Sequence, residues 1–85
     1  MDVLTKGDVI VNKLKIGDII YEYDMGLGIR SEVTSLPIRD EEGLWSWDCK
    51  STTSGEHVGY AVNENYPHYS PNIYTYEAYQ VNHYL

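Results

Sequence analysis

Phenylalanine is absent from this 85-residue chain, cysteine occurs once, and only six side chains are lysine or arginine. Each shortage excludes something. A lone cysteine, Cys49, cannot close an internal disulfide, and a small chain without such staples fits a reducing compartment. Six basic residues against thirteen acidic ones leave a formal charge of −7. That balance repels a phosphate backbone, which needs cations to displace its counterions. It favours solubility or a partner with a basic surface. No apolar run approaches the length that spans a bilayer, and the N-terminus lacks the basic start and apolar core of a signal peptide. The expectation is a cytoplasmic protein with no membrane partner. No window has the spacing of a long amphipathic helix.

What the chain has is tyrosine. Nine tyrosines and two tryptophans must supply much of the aromatic area of the core, and buried hydroxyls need partners. Tyr, Trp, Val, Ile and Thr all fit a pleated surface. The length makes one domain, residues 1–85, which buries only about 60–65% of its unfolded surface.

The stretch Lys15 to Leu36 organises the rest. Ile16-Gly17-Asp18 is a tight turn, and Ile19, Tyr21 and Tyr23 then alternate with Glu22 and Asp24, the period of a half-buried strand. Asp24 to Gly28 carries turn chemistry, with two glycines free to take positive φ. A second run follows, with Ile29 and Val33 on one face and Arg30, Glu32 and Thr34 on the other. These two runs make a β-hairpin. Residues 1–12 form an arm or short strand, and Lys6-Gly7-Asp8-Val9-Ile10 echoes the turn-plus-strand pattern of Lys15 to Ile20.

Ile38 to Gly43 is acidic, closes on a glycine and reads as a solvated loop. Leu44 to Thr53 is a strand with Trp45, Trp47 and Cys49 on one face. A Ser-Gly turn leads to another strand, Glu56 to Asn63, in which Val58, Tyr60 and Val62 alternate. Gly59 inside it marks a bulge or a close neighbouring ring. Asn63 to Pro71 is an extended, proline-fixed loop. A last strand runs from Ile73 to about Tyr79, and residues 80–85 are a loose tail. The fold expected is all-β: a small antiparallel SH3-like barrel of about five strands with no long helix.

Few constellations carry chemistry. Cys49 and His57 flank one turn and face each other if the register allows, but a structural zinc wants four such ligands in paired short spacings. An activated thiolate needs a depressed pKa in a partly exposed pocket, and only Lys50 stands near as a cation. There is no glycine-rich phosphate loop. The expectation is a non-enzymatic protein with no catalytic residue, no metal and no cofactor.

The aromatics remain. Seven of the nine tyrosines lie between Tyr60 and Tyr84, a region without Lys or Arg. Tyr60 and Tyr74 are the best core candidates. The others exceed what a small interior holds, and exposed tyrosine is enriched at recognition surfaces. The candidate partner-binding face is Trp45, Trp47, Tyr66, Tyr69, Tyr74 and Tyr76, suited to a basic protein surface through hydrogen bonds, cation–π contact and steering. The alternative is a small barrel that binds nucleic acid by aromatic stacking beside a hairpin-side basic patch from Lys6, Lys13, Lys15, Arg30, Arg39 and Lys50.

Two resemblances follow from these residues. Tyr21-Glu22-Tyr23-Asp24 and Ser70-Pro71-Asn72-Ile73-Tyr74 resemble the aromatic strand and the Pro-x-Asn-Tyr-like segment that line the peptide groove of signalling SH3 domains. Trp45 and Trp47, split by Ser46, depart from the adjacent aromatics of those domains. From Lys15 to Tyr76, the order Lys-Ile-Gly-Asp-Ile-Ile-Tyr, Arg-Ser-Glu-Val, Trp-Asp-Cys-Lys-Ser, His-Tyr-Ser-Pro-Asn-Ile-Tyr is similar to small accessory proteins of large tailed phages, especially T4-like ones. That resemblance implies a protein made in the infected bacterium that engages a host factor in the host cytoplasm, and it transfers no catalytic residue.

Overall fold

Turn chemistry and a period of two place the strands. The computed structural model describes residues 4–6, 9–24, 27–67 and 73–74. Eight short strands occur among them: β1 (Thr5–Lys6), β2 (Val9–Ile10), β3 (Ile19–Asp24), β4 (Leu27–Val33), β5 (Ile38–Arg39), β6 (Leu44–Ser51), β7 (His57–Asn63) and β8 (Ile73–Tyr74). The longest helical stretch described is one 3₁₀ turn, Val11–Lys13. The protein is all-β, and every strand pairing is antiparallel.

The N-terminal arm is a hairpin of its own, with Thr5 opposite Ile10 and Lys6 opposite Val9. A main-chain bond from Val11 N to Leu4 O, 2.7 Å, closes it. The larger sheet is a meander. β3 pairs β4 with Ile19 opposite Glu32 and Asp24 opposite Leu27. β4 pairs the C-terminal end of β6, while β5 pairs its N-terminal end. β7 lies along the other edge of β6 from Leu44–Asn63 to Lys50–His57. β8 returns to the free edge of β3. A β7–β8 pairing that would close a barrel of the SH3-like kind is not among the described pairings.

The expected first turn is present. Gly17 takes φ +97°, Lys15 N donates to Asp18 Oδ2 at 2.9 Å, and Gly17 N donates to Val33 O at 2.8 Å. That fixes the register of β3 on β4, and the register corrects which face of β3 is inward. Ile20, opposite Ser31, is the buried residue, so Ile20 and Glu22 face the interior rather than Ile19 and Tyr21. A shift of one residue exchanges the faces of a strand, and the adjacent Ile19 and Ile20 left the phase open. Tyr21 turns outward, where its hydroxyl accepts a bond from Arg30 Nε at 3.1 Å.

Three other expectations change. Ile38 to Gly43 is a strand and a tight turn rather than a loop, because Asp40 Oδ1 accepts from the amides of Glu42 and Leu44 at 2.8 and 2.9 Å. Gly59 makes no bulge, since the β6–β7 register runs unbroken through Asp48–Gly59. Tyr74 is only half-buried, and its neighbour Ile73 fills the core instead. The strand expected from 75 to 79 and the tail at 80–85 lie outside the described residues.

The core gathers Leu4, Val9, Val11 and Leu14 from the arm with Ile20, Val33, Trp47, Cys49, Tyr60, Val62 and Ile73 from the sheet. Trp47 and Tyr60 stack with centroids 5.7 Å apart. The arm thus completes the core that the sheet leaves open on one side.

Candidate interaction surface

The six aromatics proposed as one face are not one face. Trp47 is 3% exposed and stacked on Tyr60, so it belongs to the core; the inward phase of β6 dictates this, since Trp47 lies between Trp45 and Cys49 on the same side. Tyr74 stands on β8 opposite Tyr21, on the β3 edge of the sheet. Tyr69 and Tyr76 lie outside the described residues. Trp45 and Tyr66 remain, and both belong to the end of the molecule where the β5–β6 turn meets the turn after β7.

That end is built around Glu64. Arg39 donates from Nη2 to Glu64 Oε1 at 2.6 Å and from Nε to both carboxylate oxygens at 3.1 Å. The Trp45 indole donates to Oε2 at 3.0 Å. These two donors, Arg39 first, hold the Glu64 carboxyl down at about 2. Glu64 N donates to Gly43 O at 2.9 Å and Asn65 Nδ2 to Glu42 O at 3.3 Å, which fastens one turn to the other. Gly43, at φ +91°, makes room for the carboxylate. The Leu44 amide, and after it those of Glu42 and Gly43, hold the Asp40 carboxyl below its ordinary value. Asp40, Glu41 and Glu42 are exposed, and Tyr66 is 54% exposed. One arginine against four carboxylates leaves this end acidic.

Sequence reasoning missed Glu64 and Arg39. They are 25 positions apart, and no local pattern joins them. It also missed a half-buried contact beneath the sheet, where the Tyr60 hydroxyl donates to Glu22 Oε1 at 2.8 Å. Burial, and then the Glu22 carboxylate, push the Tyr60 phenol far above its usual range.

Cys49 and His57 do not meet. Cys49 is opposite Val58 and His57 opposite Lys50, so the thiol is fully buried and the imidazole exposed on the other face. Burial pushes the thiol up to about 11, the wrong direction for a nucleophile. Among the described residues, no three of His, Cys, Asp and Glu cluster as metal ligands would.

The basic residues are dispersed. Lys6 is buried and its ammonium donates to Pro67 O at 2.6 Å. Arg39 is held by Glu64, and Lys50 lies between Glu32 and His57 in the sheet.

Concavities among the described residues include two of similar size. One, about 390 Å³, lies between the arm and β3 and is lined by Val9, Ile10, Lys13, Leu14, Asp18 and Ile20. The other, about 340 Å³, lies on the outer face of β5, β6 and β7. No family model matches the chain, and neither the curated proteins nor the solved structures include a significant match. No helix among the described residues is long and apolar enough to cross a membrane.

Proposed function

We propose that this protein is a non-enzymatic binding module that engages a protein with a basic surface through an acidic, aromatic end. The observation that carries the reading is the lock between the two turns. Arg39 and Trp45 on Glu64, with Asn65 on Glu42, fasten the turn that leads into the exposed Tyr66 to the turn that carries Asp40, Glu41 and Glu42. An exposed tyrosine at an acidic end can meet an arginine or lysine by hydrogen bond and ring face. Trp45 and Tyr66 are the contact residues of this end. Tyr69, Tyr74 and Tyr76 extend the proposal along the chain toward β8.

The resemblance of the motif order to accessory proteins of T4-like phages suggests a bacterial host factor, met in the host cytoplasm, as the concrete form of that partner. The nucleic-acid alternative draws less support, because Lys6 is held by the Pro67 carbonyl and Arg39 by the Glu64 carboxylate rather than gathered in a basic patch.

The test is affinity capture from a bacterial lysate with two baits, the native protein and a Tyr66→Ala/Glu42→Lys variant. A protein retained by the first and lost by the second is expected. Identical recoveries would refute the face. Fluorescence anisotropy with labelled single- and double-stranded DNA at low salt covers the alternative, and binding with a steep salt slope would replace the proposal.

A further inference from the structure

Gly59 has no structural reason to be glycine. It sits mid-strand in β7, its φ is not in the left-handed region, and a Cβ added there meets nothing within 4 Å. Glycine in a strand interior loses both packing and conformational stability relative to other residues. The unfilled space is instead on the outside. Gly59 floors the 340 Å³ depression together with Ser46 and Ala61, and Ile38 and Asp48 stand over it. The register explains the shape. Ile38, Ser46 and Ala61 form one row across three strands, and Asp48 and Gly59 form the next. Small residues in the middle thus lie between an apolar wall and an acid.

Both walls face solvent. Ile38 is 69% exposed. The Asp48 carboxylate has no hydrogen-bond or ionic partner among the described residues, although its main chain is held by Thr34, Ser35 and the Ser35 hydroxyl. No lysine or arginine lines the depression. An apolar wall, a floor of small residues and a single carboxylate fit a long cationic side chain, whose methylenes pack while its head stays paired.

We propose that this depression receives one lysine or arginine side chain of the partner, with the stem laid against Ile38 over Gly59 and the cationic head on Asp48. The inference rests on the reading of the protein as a module for basic partners, and it adds a second contact on the opposite face of the β5–β6 hairpin from Trp45. Gly59 is then a specificity residue, since any side chain there occupies the volume the ligand needs.

The probes are blocked Ser-Gly-Arg-Gly-Ser and its lysine and citrulline analogues, titrated into the ¹⁵N-labelled protein and followed by amide shifts. Arginine and lysine peptides are expected to move the amides of Ser46, Gly59 and Ala61. The neutral citrulline peptide and the Asp48→Asn variant should each bind about tenfold more weakly, the scale of one charge-assisted contact. Gly59→Leu should abolish the shifts while leaving the remaining spectrum intact and the melting temperature no lower. Persistence of binding in Gly59→Leu, or equal binding of citrulline, would overturn the depression as a cation site. Shifts confined to Glu41, Glu42 and Tyr66 would overturn it too but leave the broader reading standing. Silence at both places with both cationic peptides would count against both.

Discussion

Gly43 and Gly17 share a backbone conformation but not a neighbourhood, and that difference makes a clean experiment. Both have φ above +90°: +91° and +97°. A Cβ at Gly17 would meet nothing within 4 Å, whereas one at Gly43 would fall 2.7 Å from Glu64 Oε1, 2.8 Å from its Cγ and 2.9 Å from its Cδ. Holding an L side chain in the left-handed region costs about 1–3 kcal/mol. The stiffer unfolded chain offsets about 0.4–1 kcal/mol of that. Gly17→Ala should therefore lose about 1 kcal/mol, the balance of those two terms. Gly43→Ala carries the same balance plus an overpacking penalty of about 1–3 kcal/mol. For a domain of this size 1 kcal/mol moves Tm by about 4–8 °C. The expected falls are thus about 4–8 °C for Gly17→Ala and about 8–32 °C for Gly43→Ala. Thermal denaturation followed by circular dichroism measures both. A Gly43→Ala/Glu64→Ala double variant completes the cycle, and removal of the obstructing side chain should restore part of the loss. Equal destabilisation by the two alanines, or a cycle without coupling, would refute the lock between the turns.

Three further outcomes follow from the same geometry. Glu64 is held at about 2 against an ordinary 4.5, so its contribution to stability is present above 4.5 and is lost as pH falls through about 2; urea midpoints over an acid series should show a shallower decline in Glu64→Gln than in the native protein. Trp47→Ala should cost about 3–5 kcal/mol, as expected for emptying a buried aromatic site, while Trp45→Ala costs clearly less, and similar midpoints for the two would contradict the burial assigned to them. Cys49, fully buried with its thiol pushed up to about 11, should react with a disulfide reagent at pH 8 only on unfolding; rapid stoichiometric labelling of the folded protein would show the core to be open.

Much of the fold was legible in the sequence because turns and alternation are local. Ile16-Gly17-Asp18 marked its turn, the Trp45–Trp47–Cys49 period marked the inward face of β6, and Ser54-Gly55 marked the hairpin into β7. The failures were those of phase and distance. Ile19 and Ile20 are equally apolar, so periodicity alone could not choose between them, and only the bonds from Gly17 N to Val33 O and from Val33 N to Asp18 O decide. Asp40 disguised a turn as an acidic loop, since a carboxylate that accepts two amides looks in sequence like any solvated acid. The aromatic face mixed core with surface for a related reason. Trp47 and Trp45 read alike, but one lies mid-sheet over Tyr60 and the other near the edge within reach of Glu64. Glu64 itself carried no local signal, because its role exists only once the strands have paired.

Lys6 ties the β1–β2 hairpin to the carbonyl of Pro67, which lies 61 residues further along. A buried ammonium with no carboxylate within ion-pair reach among the described residues depends on that acceptor for its hydrogen bond. While the chain is unfolded that ammonium is hydrated, and it exchanges water for the Pro67 carbonyl only when a loop of 61 residues closes, a cost that grows slowly with loop length.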